Sequence, residues 1–334
     1  MRSILVPLLL VSISGLCAQT QQDPSQPALK VFDSYALSSS ASFGFLYGQS
    51  EEQVYVYKED VETLYSQLLW DMKPLFYYGS ALEFSPLKPI QRWGPFAALS
   101  FRFGFPNKTG VMEDRDWRGT GSELTDFSSH DNYTRGAALV DASIGLSMPL
   151  ASLLVIKTYL AYSYMFFAWC GQNGYGDYGT RGHYVFSGTV INYTQMWNMV
   201  LGGIAVSYPF LDVFSVSAAL QLGTVVSYSA QDDHLTNKFQ DINTVKIGYG
   251  RQFTDTASGG LLLEPRFEFT WSPLNKLSIA LSAGWRRISA LKGTSVSIRQ
   301  EASSTGSNNT PQSAGIIGAA YSVLDAGLSI KVRF

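Results

Sequence analysis

Two aspartates in the segment 112–117 are separated by a single residue. Asp114 and Asp116 would therefore lie on the same face of an extended strand. Two close carboxylates do not easily ionise together, so the pKa of one of them should rise towards neutrality. Such a pair can exchange a proton with a reacting group. Considered alone, the segment is better explained as a solvated acidic loop.

A second cluster combines a carboxylate with one of the three histidines of the chain. Asp232 and His234 are again separated by one residue. A carboxylate beside an imidazole orients the ring and raises its basicity. If the two clusters face each other, His234 can deprotonate a water molecule. Asp114 and Asp116 can then hold that water for attack on a peptide bond.

The elements that must position these clusters are marked by proline-bearing turns at near-regular intervals. The turns are 85–95, Met148-Pro149, Tyr208-Pro209 and Ser272-Pro273. Polar, glycine-rich or charged stretches lie between them, at 58–62, 107–131, 171–183, 231–259 and 299–315. Each interval is thus predicted to be one long hairpin with its loop at the far end. Five hairpins give ten antiparallel strands, with short turns on one side and long loops on the other.

The strands alternate between apolar and small or polar residues. Between 95 and 105, Phe101 and Phe103 would share one face and Arg102 the other. The C-terminal residues alternate in the same way and end in an aromatic residue, which resembles the signal that outer-membrane barrels carry. The apolar members there are Leu328, Ile330, Val332 and Phe334. We therefore predict an all-β fold, a ten-stranded antiparallel transmembrane β-barrel with long extracellular loops and short periplasmic turns.

Composition agrees with an exported barrel. Charged residues make up 15% of the chain and aromatic residues 14%, whereas soluble domains carry about 25% charged residues. Residues 1–18 have the pattern of a signal peptide, which leaves 19–334 as a single barrel domain. The net charge of −2 gives no indication of nucleic-acid binding. The mature chain would retain one cysteine, Cys170, so no intramolecular disulfide is expected.

One part of this interpretation needs an irregular strand. In 214–228 the even-numbered residues, such as Val216 and Leu220, are the apolar ones and would face lipid. Straight alternation would then direct Asp232 and His234 outward as well. We therefore predict a β-bulge near 229–231, because a bulge shifts the alternation by one residue.

The motifs together resemble the omptin family of outer-membrane proteases over nearly the whole mature chain. The matching segments are 66–70, 112–117, 125–130, 232–234, 284–287 and the Phe334 end. The resemblance implies a barrel in the bacterial outer membrane with its active site facing the exterior. It implies an aspartic-type endopeptidase that cleaves peptides or proteins at the cell surface, as a monomer among outer-membrane lipids. Water activated by Asp232 and His234, opposite Asp114 and Asp116, would be the nucleophile.

The same resemblance implies substrate-binding residues and two departures. Glu52, Met112, Ser128 and His130 match substrate-binding positions, and Glu52 matches one of two acids that hold a basic P1 side chain. The second acid falls at Ala230, so the preference for basic residues is expected to be weakened. Residues 162–166 lack the charges of the family's lipid A contact, so dependence on lipopolysaccharide is doubtful.

Three other interpretations remain open. The chain can be a non-catalytic barrel that acts as an adhesin or structural surface protein. It can also be a small channel whose ion selectivity comes from lumen charges such as Arg102. It can also hold a metal ion through Asp114, Asp116, Asp232 and His234. The metal site is disfavoured because no closely spaced histidine pair is present. We therefore expect neither a metal nor another cofactor.

Overall fold

The computed structural model describes residues 34–58, 60–87, 93–118, 123–150, 154–235, 238–241, 244–247, 250–300 and 312–334. The predicted signal peptide, 1–18, lies outside them. The described residues form fourteen β-strands. They are β1 Tyr35–Lys58, β2 Val61–Pro86, β3 Gly94–Gly104, β4 Asn107–Asp116, β5 Asp126–Pro149, β6 Val155–Asp177, β7 His183–Val185, β8 Thr189–Phe210, β9 Phe214–His234, β10 Lys238–Asp241, β11 Thr244–Ile247, β12 Gly250–Leu274, β13 Leu277–Gln300 and β14 Gln312–Arg333. Within these ranges, no helix is long and apolar enough to cross a membrane.

The strands close into a ring of ten antiparallel wall positions. β1 pairs with both β2 and β14, which joins the two ends of the sheet. β3 and β4 are successive parts of one wall strand between β2 and β5, and β7, β10 and β11 are short strands that extend from β6. The predicted ten-stranded barrel is therefore confirmed. The count of fourteen arises because one wall strand is interrupted and three short strands lie in the loops.

The predicted polar loops are shorter than expected. Most of 107–131, and the ends of 231–259, belong to strands β4, β5, β9 and β12. Polar composition was interpreted as loop, but strands that rise above a membrane face water on the outside and need no apolar residues there. Ser128 and His130, assigned to a loop segment, are accordingly strand residues of β5.

An apolar belt surrounds the lower part of the barrel. Its side chains are exposed on the outer wall and include Phe43, Phe76, Phe103, Ile144, Leu160, Leu220, Phe267 and Leu281. The belt ends near Tyr47, Phe105, Val226 and Trp285, and we assign the strand segments below these positions to the membrane. The terminal alternation is confirmed, since Leu328, Ile330, Val332 and Phe334 are all exposed.

Charged side chains fill the lumen at the level of the membrane. Arg102 donates hydrogen bonds to Asp325 and to Asp141, the latter over 2.8 Å. Arg286 donates to Glu264 over 2.8 Å and also contacts Asp141. Positive and negative groups therefore compensate one another across the interior, as buried charges require. Side chains that span the lumen in this way disfavour the channel interpretation.

Aromatic rings are stacked above this charged layer. The Trp70 ring lies 4.8 Å from that of Tyr193 and 5.8 Å from that of Trp169, measured between centroids. Trp197 packs edge-on against Tyr228 at 4.5 Å. These large side chains are almost completely buried. They form a rigid floor beneath the two acidic clusters at the top of the barrel.

Candidate functional site

The Asp232–His234 pair lies at the upper end of β9. His234 Nε2 is 2.7 Å from Asp232 Oδ2, so the carboxylate holds one nitrogen of the ring. The Asp232 side chain is 2% exposed and that of His234 is 32% exposed. The paired strands β8 and β12 fix Asp232 between Tyr193 and Phe253. The carboxylate is thus buried, whereas the ring reaches solvent.

A β-bulge directs this pair inward, as the sequence required. Asn198 pairs with Ser227 and the next residue, Met199, pairs with Val225, so Val226 is the extra residue. Val226 and Ser227 are both exposed, and from Tyr228 onwards the even-numbered residues face inward. The existence of the bulge is confirmed, but its predicted place at 229–231 is wrong.

The opposite wall is formed by β4. Asp116 is buried and accepts hydrogen bonds from the Arg118 side chain, so one member of the acid pair is neutralised. Asp114 has a weaker partner, the Ser66 hydroxyl at 3.4 Å. Asp114 is therefore the carboxylate that remains available to a water molecule or a substrate.

The two walls interact electrostatically across the cleft. Burial raises the pKa of Asp114 to about 7, with a further rise from Asp116 that the positive charge of His234 opposes. Burial disfavours the charged ring of His234, but Asp232 and then Asp114 and Asp116 outweigh it and raise its pKa to about 9. Since a third of the ring is exposed, solvent weakens both effects without changing their direction. The two pairs are thus close enough for the charge of each to act on the other.

Ser128 and His130 lie next to this cleft on β5. The His130 Nε2 atom is 3.0 Å from Ser128 Oγ, and its Nδ1 atom is 2.5 Å from the carbonyl oxygen of Asn173. Burial lowers the pKa of His130, although the Asn173 carbonyl opposes this. The ring therefore donates Nδ1–H to a carbonyl and accepts from the serine. A serine–histidine pair backed by a carbonyl lacks the carboxylate that, in a serine protease, orients the histidine and stabilises its protonated form.

The remaining predicted substrate-binding residues are buried. Met112 is part of the hydrophobic core, and Glu52 is 3% exposed on β1. Glu52 and Asp114 both pair with Leu68 of β2, so these two acids lie in one row across the neighbouring strands β1, β2 and β4. Burial raises the pKa of Glu52 well above its usual range, and Asp255, Asp232 and Asp114 raise it further.

Asp255 is a buried carboxylate near Glu52 that sequence reasoning missed. It lies on β12 within 231–259, which had been interpreted as loop. It pairs directly with Ala230, the position where the second acid was expected. Its side chain is 1% exposed, and burial raises its pKa to about 6 against an opposing effect of Ser295. Only the pairing of β9 with β12 reveals this neighbour.

No group of three His, Cys, Asp or Glu side chains in the described ranges is arranged to hold a metal ion. Cys170, the single cysteine of the predicted mature chain, is buried and free.

The sequence model of the omptin family matches residues 33–332. Among solved structures, the outer membrane protease OmpT from Escherichia coli is 17% identical, with a TM-score of 0.74 over 90% of this chain and 97% of that chain. The toluene transporter TodX from P. putida is 12% identical, with a TM-score of 0.29 over 93% of each chain. No curated protein matches the sequence.

Proposed function

Because the chain belongs to the omptin family of outer-membrane proteases, we propose that it is an endopeptidase whose site faces the cell exterior. Peptides or proteins at the cell surface are its substrates. Water activated by Asp232 and His234, opposite Asp114 and Asp116, is the nucleophile. The observation that carries this proposal is the 2.7 Å contact between a buried carboxylate and a solvent-accessible imidazole, facing an acid pair.

The contact supports Nδ1 of His234 as the base. A neutral His234 ring that donates Nε2–H to Asp232 leaves Nδ1 free to accept a proton from water. The water oxygen attacks the peptide carbonyl carbon, and the imidazolium that forms is stabilised by the carboxylate it already contacts. The same proton can then pass to the leaving amine.

The acid pair supports this step from the opposite wall. Asp114 carries a raised pKa, so it exchanges a proton near neutral pH and can hold the attacking water. Asp116 is bound to Arg118, which also contacts Asp126 over 2.9 Å. This ion-pair cluster fixes the upper end of β4 and thereby the position of Asp114.

The test is mass-spectrometric mapping of cleavage in a mixed peptide library by the refolded barrel. We expect cleavage that persists in EDTA, since the proposed nucleophile needs no metal. Persistence would remove the metal-site interpretation, whereas complete loss in EDTA would support it. If a verified barrel cleaves no peptide, with or without lipopolysaccharide, the non-catalytic surface protein becomes the better interpretation.

The proposal extends to the oligomeric state and to the dependence of activity on lipopolysaccharide. We propose a monomer among outer-membrane lipids whose activity does not depend on lipopolysaccharide. Tyr162 is exposed on the outer wall and donates a hydrogen bond to Asn198, with no charged residue within 162–166. A strong rise in library cleavage on addition of lipopolysaccharide would contradict the second statement.

The variant Ser128→Ala distinguishes a mechanism with water as the nucleophile from one with a serine nucleophile. We expect a modest loss of kcat/KM, on the order of tenfold, because the hydroxyl contacts His130 without attacking the substrate. Loss of a true serine nucleophile costs roughly 10⁶-fold in kcat. Steady-state kinetics on a cleaved peptide decides between them, and an acyl-enzyme trapped on Ser128 would overturn the water mechanism.

A further inference from the structure

Two buried acids below the Asp232–His234 pair lack a positive partner. Oxygen Oε2 of Glu52 and both carboxylate oxygens of Asp255 are buried without a hydrogen-bond partner. No lysine or arginine of the described ranges forms an ion pair with either residue. The lumen acids Asp141, Asp325 and Glu264 differ, since each of them contacts an arginine. Uncompensated buried charge is costly, so this pair requires an explanation.

The position of Asp255 relates it to the proposed reaction. Asp255 follows Phe253 by two residues on β12, and Phe253 pairs with Asp232. Asp255 therefore lies one same-face step, about 7 Å, below the row that holds the catalytic carboxylate. A long side chain of a substrate bound at the Asp232 row reaches that depth. Glu52 is close enough for Asp255 and Asp232 to act on its charge.

Resting on the function proposed above, we infer that Asp255, with Glu52, forms the acidic pocket that receives a basic side chain of the substrate next to the cleaved bond. The acid expected at Ala230 has moved to the directly opposite residue on the neighbouring strand. Directly paired residues hold their Cβ atoms about 5 Å apart, so the carboxylate enters the same space from the other side. The missing acid at Ala230 therefore does not weaken the preference for arginine or lysine.

A guanidinium or ammonium group supplies what the pocket lacks. It donates to the three unpartnered oxygens and lets both acids ionise, whereas a neutral side chain leaves them desolvated and unpaired. Oxygen Oδ1 of Asp232 is likewise buried without a hydrogen-bond partner. The pocket thus discriminates against neutral side chains for two reasons. They leave its buried acids unpaired, and they lack the positive charge that the acids attract.

The experiment compares kcat/KM for matched peptides with Arg, Lys or norleucine before the cleaved bond. In Asp255→Asn the ratio of basic to neutral cleavage should fall by roughly 10- to 100-fold, while Asp255→Glu retains most of it. Asp233→Asn is the matched control, because Asp233 lies at the same height but bonds Gln252 on the other face of β9. The double variant Asp255→Asn with Ala230→Asp returns an acid to the pocket and should restore the ratio.

Separate outcomes distinguish this inference from the function on which it rests. If the wild-type barrel cleaves peptides but Asp255→Asn keeps the full preference for Arg and Lys, the inference is wrong and the protease remains. If no peptide is cleaved, the proposed function is rejected, and binding of Nα-acetyl-arginine amide still tests the pocket. We expect that probe, and not its norleucine counterpart, to protect the wild-type barrel against urea, with protection lost in Asp255→Asn. Equal protection of both proteins would overturn the pocket.

Stability gives a readout that an ordinary structural aspartate would not produce. Because burial raises the folded-state pKa of Asp255, the folded barrel is disfavoured as pH rises above the unfolded-state pKa and through the folded one. Asp255→Asn should therefore raise the urea midpoint at pH 8 and leave it nearly unchanged at pH 4. A lower midpoint at pH 8 would show a structural role instead.

Discussion

Asp232→Asn is expected to reduce kcat/KM by roughly 10³- to 10⁴-fold, with little change in KM. The amide preserves the size of the side chain but removes the charge that stabilises the imidazolium of His234. It also allows the ring to adopt the wrong tautomer, because an amide NH₂ can donate where the carboxylate only accepts. The measurement is steady-state hydrolysis of a peptide identified by library mapping.

The matched control for this variant is Asp233→Asn, one residue away on the outer face of β9. Asp233 accepts a hydrogen bond from Gln252 over 2.6 Å and does not contact His234. We expect its kcat/KM to stay within about threefold of wild type, as for a surface substitution away from the site. Equal losses in both variants would indicate damage to the end of the strand. An Asp232→Asn barrel with wild-type activity would remove the Asp/His mechanism.

The pH dependence of kcat/KM is the second large effect. In the proposed mechanism the base is neutral His234, and its pKa is raised to about 9 despite burial, chiefly by Asp232 and then by Asp114 and Asp116. The neutral fraction falls about tenfold for each pH unit below that value. Activity should therefore rise steeply from pH 6 towards pH 9, with a change of slope as Asp114 ionises near its pKa of about 7.

The rise of kcat/KM with pH can be tested by removing Asp232, the carboxylate that contributes most to the raised pKa of His234. Removing the Asp232 charge removes the largest influence that raises the His234 pKa, so Asp232→Asn should move the ring titration to lower pH. NMR titration of the histidine ring protons measures this even when activity is lost, and His234→Gln assigns the signal. A His234 pKa that does not move in Asp232→Asn would contradict the electrostatic account. A rate that falls between pH 6 and 9 would contradict the role of His234 as base.

The sequence determined the barrel because lipid leaves few solutions. In a bilayer every backbone donor and acceptor must be satisfied, so alternating apolar segments between regular turns imply a closed sheet. The alternation around Arg102 and the exposed terminal Phe334 followed directly from side chains that point to opposite faces of a strand. The Asp-x-Asp and Asp-x-His spacings likewise fixed which residues share a face.

The direction in which the side chains of β4 and β9 point was decided by irregularities that composition does not encode. On β9 the bulge at Val226 turns Asp232 inward. Between Gly104 and Met112 the phase changes twice. Gly104 and Thr109 both face inward although five residues apart, and a register shift between Lys108 and Gly110 restores the original parity. Asp114 and Arg102, both even-numbered, therefore face the same side of the wall only because the two shifts cancel.

The identity of the second acid could be decided only by tertiary structure. The family resemblance placed it at Ala230, which has no carboxylate. Strand pairing placed Asp255 directly opposite Ala230, although 25 positions of sequence separate their numbers. A sequence specifies which face of a strand a residue occupies, because that depends on local alternation. Which residue of the neighbouring strand lies beside it depends on register, which is set by bulges and loop lengths along both strands.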